Sequence, residues 1–130
     1  MNYILAGRTN EERHADMVHR LYKPGSHILR DMSPDQAHLL HMAIGISGEA
    51  GEILDAIKKI AIYGKDVELV FENLLEELGD LEFYMEGLRQ GLKIDRELTL
   101  VNNIKKLGRR YPRYEYTDKG ALDRADKNGE

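Results

Sequence analysis

Apolar residues return every three or four positions over long stretches of this chain, the period of helices with one buried face. The longest run passes through Leu39, Met42, Ile46, Ile53, Ile57 and Ile60, predicting a helix from Pro34 to Tyr63. Ser33-Pro34-Asp35 starts it, with proline at the first helical position, and Gly64 closes it. After the short connector Gly64-Lys65-Asp66 the period resumes near Val67 and holds to about Arg89, through Val70, Leu74, Leu81, Tyr84 and Leu88; Gly91 reads as its stop. Asp95 caps a further helix through Leu98, Val101, Ile104 and Leu107 that ends before Tyr111-Pro112. Upstream, Thr9 followed by Glu12 is a capping-box pattern, opening a helix that stops before Lys23-Pro24-Gly25. Residues 1–8 read as a lead-in, segment 23–33 as a connector and 113–130 as a polar tail whose last ten residues are mobile.

The expected fold is therefore all-α. A tight loop makes the helices on its two sides antiparallel neighbours, so the core is an antiparallel bundle built around a two-helix hairpin. The predicted organisation is an N-terminal helix and connector over 1–33, a helical core over 34–112 and a tail over 113–130.

Acid interrupts both core stripes. Glu49 and Glu52 are three residues apart among Met42, Ile46, Ile53, Ala56 and Ile60; Glu77 and Asp80 repeat the spacing among Val70, Leu74, Leu81, Tyr84 and Leu88. Each pair falls on one side of its helix. An unpaired buried carboxylate costs several kcal/mol or takes up a proton, so four facing acids call for a divalent cation or for Lys/Arg partners. An all-oxygen set selects a hard ion, Mg2+ or Mn2+, over zinc. Glu76, one position round from Glu77, reads as an acceptor behind the ligands or a base orienting water. A lone Glu-x-x-Glu is ordinary on a solvated face, and Glu68, Glu72, Glu82 and Glu86 read that way. Gly45, Gly48 and Gly51 each cost the helix about 1 kcal/mol against alanine, and they let another backbone or a ligand come close.

The histidines fit this picture at its margin. His38 and His41 lie roughly 12 Å or more along the helix axis from Glu49 at 1.5 Å per residue, too far to share its ion. His41 is a candidate for the lining of a base pocket. Glu11-x-x-His14 resembles half of a di-iron site, but such bundles need two copies beside the carboxylates.

Composition narrows the chemistry. With 130 residues the chain suits one domain. The absence of cysteine excludes disulfides, thiolate metal sites and cysteine nucleophiles. No signal peptide or bilayer-spanning run is visible, so a cytoplasmic location without membrane attachment is expected. The basic run Lys105, Lys106, Arg109 and Arg110 stands out, but a net charge of −4 ranks nucleic acid below phosphate as its partner. Acids inside the stripes leave little apolar surface to close a core, so a homodimer or a dimer of dimers is expected.

Glu49-x-x-Glu52 followed by Glu77-x-x-Asp80 resembles the MazG-like, all-α nucleoside triphosphate pyrophosphohydrolases. The string His41-x-x-x-Gly45-x-x-x-Glu49-Ala50-Gly51-Glu52 is similar to that family's first motif, and Glu76-Glu77-Leu78-Gly79-Asp80 to its second. Asn103-Ile104-Lys105-Lys106-Leu107-x-x-Arg110-Tyr111-Pro112 is similar to its C-terminal signature. After that block the chain departs from the family, with Arg113-Tyr114-Glu115-Tyr116 where many relatives continue Gly-Phe.

The resemblance covers about residues 37–126. It implies hydrolysis of the α–β phosphoanhydride of a nucleoside triphosphate, to monophosphate and pyrophosphate, with Mg2+ held by Glu49, Glu52, Glu77 and Asp80. It also implies contacts to phosphates or nucleotide from Asn103, Lys106, Arg110 and Tyr111, with Lys58 and Lys59 as further phosphate candidates. From a different class, the chain could be a helical interaction module that binds metal and nucleotide without turning them over.

Overall fold

The computed structural model describes residues 8–124, 126 and 127, and every long regular element among them is an α-helix. In chain order these are α1 (Asn10–Leu21), α2 (Gly25–Asp31), α3 (Pro34–Ala61), α4 (Phe71–Leu92), α5 (Arg96–Arg110) and α6 (Asp118–Asp123). The chain divides into two compact units at Pro34 and Asp35.

In the first unit the expected capping box opens α1. The Thr9 hydroxyl accepts from the Glu12 N–H at 3.2 Å, and the Glu12 carboxylate accepts from the Thr9 N–H at 2.7 Å. The segment 23–33, expected to be a connector, contains α2. Pro24 does not break the chain there. Its carbonyl accepts from His27 and Ile28 at 2.9 and 3.1 Å, because a fixed φ near −65° suits a residue that starts a helix as well as a turn.

In the second unit α3 runs for 28 residues. It ends at Ala61, slightly before the expected Tyr63, and Gly64 takes the left-handed conformation (φ 64°) that closes the turn. The next predicted helix begins as a 3-10 turn at Val67–Leu69 and becomes regular only at Phe71. Gly91 does not stop α4. The left-handed residue is Lys93 (φ 55°), two positions on. Gly91 is needed for closeness instead, since a Cβ there would lie 2.8 Å from His38 Cδ2 and 2.9 Å from Leu39 Cδ2.

Glycines bring α3 and α4 together at three levels. A Cβ on Gly45 would overlap the Tyr84 ring, and one on Gly87 would overlap Met42. The His38 Nε2 lies 3.0 Å from the Gly87 carbonyl oxygen. As positions on α3 rise from 38 through 42 to 45, their partners on α4 fall from 91 through 87 to 84, so the two helices run in opposite directions. The apolar side chains buried among the described residues are Met42, Ala56 and Val70, whereas Leu40, Ile44, Leu54, Phe71, Leu75 and Leu78 are exposed.

Asp95 caps α5 as expected, its carboxylate accepting from the Glu97 N–H at 2.6 Å. The tail expected over 113–130 holds more order than its polar composition implies. Thr117 caps α6 by accepting from the Gly120 N–H at 3.0 Å, and a Cβ on Gly120 would stand 3.0 Å from the Arg110 carbonyl oxygen. Residues 1–7, 125 and 128–130, which include parts of the expected lead-in and mobile end, lie outside the described residues.

Candidate functional site

Opposite helix directions bring the middle of α3 alongside the middle of α4, and the acids sit there. Glu49 follows Gly45 by one turn, and Glu77 precedes Tyr84 by two, so both occupy the face on which the helices approach. Glu77 is buried, at 7% exposure, while Glu49 is half-buried and Glu52 exposed. One ligand oxygen from each of Glu49, Glu52 and Glu77 lies within 4.8 Å of the other two. Asp80, one turn further along α4, falls outside that group but close enough for its charge to act on Glu49.

The electrostatics follow from the crowding. The Glu49 carboxyl is pushed above its ordinary value, first by burial, then by a hydrogen bond with the Glu77 carboxyl, and then by the charges of Asp80, Glu52 and Glu77. Two carboxyls that share a hydrogen bond share a proton, and a cation between them would do the same work without that proton. Glu77 also accepts from the Asn73 amide at 2.6 Å, which fixes its orientation. The donor atoms are all carboxylate oxygens, a set that fits a hard divalent cation.

Gly51, Glu52, Asp55, Lys59, Asn73 and Glu77 line a cavity of about 350 Å³ at this cluster. Asp55 pairs with Lys58 at 2.6 Å and Lys59 at 2.9 Å, and the two ammonium groups hold its carboxyl down at about 2. Lys59 thus stands at the cavity wall, neutralised by Asp55, while Lys58 is not part of the lining. Glu76 is exposed and also outside the lining. His41 is exposed too, its ring edge-on to Tyr84 with centroids 6.1 Å apart.

The residues expected on the last long helix occupy a different neighbourhood. None of Asn103, Lys106, Arg110 and Tyr111 lines the acidic cavity. Arg110 is held by Asp126 through a bidentate pair at 2.7 and 2.8 Å, with the Asp126 side chain fully buried. The guanidinium keeps the Asp126 carboxyl at about 2. Tyr111 sits beside Tyr116, ring centroids 6.0 Å apart. Arg110 therefore serves the tail in this structure. Its partner lies sixteen residues away in a stretch with no periodic pattern, so nothing local announces the pair.

Two residues at the acidic cavity escaped the sequence reading. Asn73 lies four residues before Glu77, and Asp55 three residues after Glu52, so each lies on the acids' side of its helix. That spacing was the available signal. It was masked because Asn73 is neutral and Asp55 reads as the partner of an ordinary charged helix end.

A family model described as the MazG nucleotide pyrophosphohydrolase domain matches residues 36–114, more than half of the chain and all of α4 and α5. No curated protein and no solved structure matches. Among the described residues no helix is long and apolar enough to cross a membrane.

Proposed function

The chain belongs to the MazG nucleotide pyrophosphohydrolase family, and we propose that it cleaves the α–β phosphoanhydride of a nucleoside or deoxynucleoside triphosphate, releasing monophosphate and pyrophosphate. The observation that carries this reading is the convergence of Glu49, Glu52 and Glu77 within 4.8 Å at a cavity. A triphosphate is itself an anion, so such a cluster can receive it only through a cation.

The cation is Mg2+, with Mn2+ as a substitute, because the donors are oxygen alone. When bound, it supplies charge neutralisation for the phosphates and a lowered pKa for the attacking water. Glu49, Glu52 and Glu77 hold it, and Asp80 completes the set from the next turn of α4. Asn73 keeps the Glu77 carboxylate turned toward its work. Glu76, exposed beside them, takes the proton from water as general base. The resemblance assigns phosphate contacts to Asn103 and Lys106 of α5, which lie outside the acidic cavity and would have to reach a substrate bound there, with Lys58 and Lys59 as further phosphate candidates and His41 as a candidate for the base. Arg110 and Tyr111 join the phosphate contacts only after Arg110 exchanges Asp126 for substrate.

A second copy of the chain completes the bundle. What supports this is the contrast, among the described residues, between the few buried apolar side chains, Met42, Ala56 and Val70, and the exposed series Leu40, Ile44, Leu54 on α3 and Phe71, Leu75, Leu78 on α4. A homodimer is the smallest assembly that covers them, and a dimer of dimers covers them equally.

The test is a panel of each NTP and dNTP with Mg2+, read for products. Monophosphate and pyrophosphate are expected, and nucleoside diphosphate with inorganic phosphate would refute the assigned bond. Tight metal-dependent nucleotide binding with no turnover would favour an interaction module over an enzyme.

A further inference from the structure

Arg110 ends α5 with its guanidinium already committed. Nε donates to one Asp126 oxygen at 2.7 Å and Nη2 to the other at 2.8 Å, so one carboxylate takes the two parallel donors with which arginine grips a phosphate. The Asp126 side chain is wholly enclosed, and that of Arg110 is only 17% exposed. A phosphate cannot reach those two donors while the carboxylate occupies them. Arg110 is also absent from the lining of the acidic cavity.

The segment that carries Asp126 back to α5 is lightly held. It turns through two left-handed residues that are not glycine, Tyr114 (φ 54°) and Arg124 (φ 45°), a backbone that persists only where its surroundings hold it. Between them Gly120 lies against the end of α5, where a Cβ would stand 3.0 Å from the Arg110 carbonyl oxygen and from Tyr111 Cδ1. The large apolar side chains of the segment, Tyr114, Tyr116 and Leu122, are exposed, with the Tyr116 ring beside that of Tyr111. Little hydrocarbon fastens the segment, so among the described residues the charged pair is its main tie to α5.

We propose that the tail is an autoinhibitory strap, in which Asp126 takes the place of a substrate phosphate on Arg110 and nucleotide binding displaces it. This rests on the reading of Arg110 as a phosphate contact given above, and adds that the chain carries its own competitor for that contact. A clamp that merely held Arg110 ready would make binding weaker once Asp126 is removed; a competitor makes it tighter. The small exposure of Arg110 and its absence from the cavity wall favour the competitor. A hydrogen bond to a charged group shifts an equilibrium about tenfold, and a closed strap lowers the apparent affinity by the fraction of chains that are open. Asp126→Asn keeps the shape of the side chain and removes its charge, so it is expected to tighten nucleotide binding about tenfold.

The experiment is calorimetric titration of the full chain with the α,β-imido analogue of each nucleoside triphosphate and Mg2+, which reads affinity without turnover. Asp126→Asn is expected to bind tighter than wild type. Arg110→Ala is expected to bind more weakly, and adding Asp126→Asn to it to change nothing further, because the competitor acts only through Arg110. In the wild type, amide hydrogen exchange over 114–127 is expected to quicken when the analogue is added, and this arm decides alone if circular dichroism shows a variant to have lost helix. Equal or weaker binding by Asp126→Asn, or tail exchange that stays the same or slows with the analogue, would overturn the strap and leave the pair a structural clamp. Tighter binding by Asp126→Asn without hydrolysis of any nucleotide keeps the strap and removes the proposed activity; hydrolysis with equal affinities does the reverse. No binding of any analogue by either protein would overturn both.

Discussion

Gly45 and Gly48 lie less than a turn apart on α3, yet alanine should act on them with opposite signs. A Cβ at Gly45 would overlap Cγ, Cδ1 and Cε1 of Tyr84, whereas one at Gly48 has nothing within 4 Å. The overlap includes the near end of the ring, so rotating the far end of a flexible side chain cannot relieve it. Either Tyr84 leaves its rotamer or α3 and α4 move apart. Both substitutions remove a helical glycine, and each gains about 1 kcal/mol from that change alone. The gain cancels when the variants are compared with each other. What remains is the overpacking term at Gly45, about 1–3 kcal/mol. At roughly 4 °C per kcal/mol for a chain of this size, Gly45→Ala should melt about 4–12 °C below Gly48→Ala. Thermal unfolding followed by far-UV circular dichroism reads this directly. Gly45 is also one turn before Glu49, so forcing the helices apart there draws Glu49 from Glu77 and should reduce whatever stabilisation the proposed Mg2+ gives when added. A Gly45→Ala protein that melts with or above Gly48→Ala would refute the close approach and the reasoning built on it.

Asn73→Ala removes the amide that orients Glu77, and metal affinity or turnover should fall by about 10–100-fold with helicity intact; metal titration and steady-state kinetics measure it. The pH dependence of stability without metal should have two limbs of different origin. Glu49, raised in the folded chain, favours folding fully below its unfolded value of 4.5 and loses that contribution as pH rises through its folded value. Asp55 and Asp126, each lowered from 3.8 to about 2, favour folding above 3.8 and lose that as pH falls toward about 2. Metal-free stability should therefore peak on the acid side of neutrality, and Glu49→Gln should flatten the alkaline limb in a series of melts. Asp126→Asn weakens the hold on Arg110, so limited proteolysis at Lys119 and Arg124 should quicken while α3 and α4 resist as before.

Local chemistry made much of the fold readable. The capping box at Thr9, the Ser33-Pro34 start and the Asp95 cap each depend on neighbours within four residues, and each appears as expected. The gathering of Glu49, Glu52 and Glu77 was readable too, since a three-residue spacing and a short connector suffice to put them on facing sides. The differences arise where a residue has two uses. Pro24-Gly25 starts a helix as well as a turn, and Gly91 permits an approach as well as a stop. The tail was opaque for another reason, because beyond the local Thr117 cap of α6 the pair that ties it to α5, Arg110 with Asp126, joins residues sixteen apart.

That Met42, Ala56 and Val70 are the few sheltered apolar groups among the described residues has a calorimetric consequence. Much of the described hydrocarbon is already wet in a lone chain, so its melting should show a heat-capacity step short of the usual 12–15 cal/mol/K per residue, roughly. A step of ordinary size, with a transition that climbs on raising the protein concentration, marks leucines and phenylalanines sealed between copies. The driving force for such a molecule to fold would then reside in the encounter of two chains, and dilution alone would be enough to unmake it.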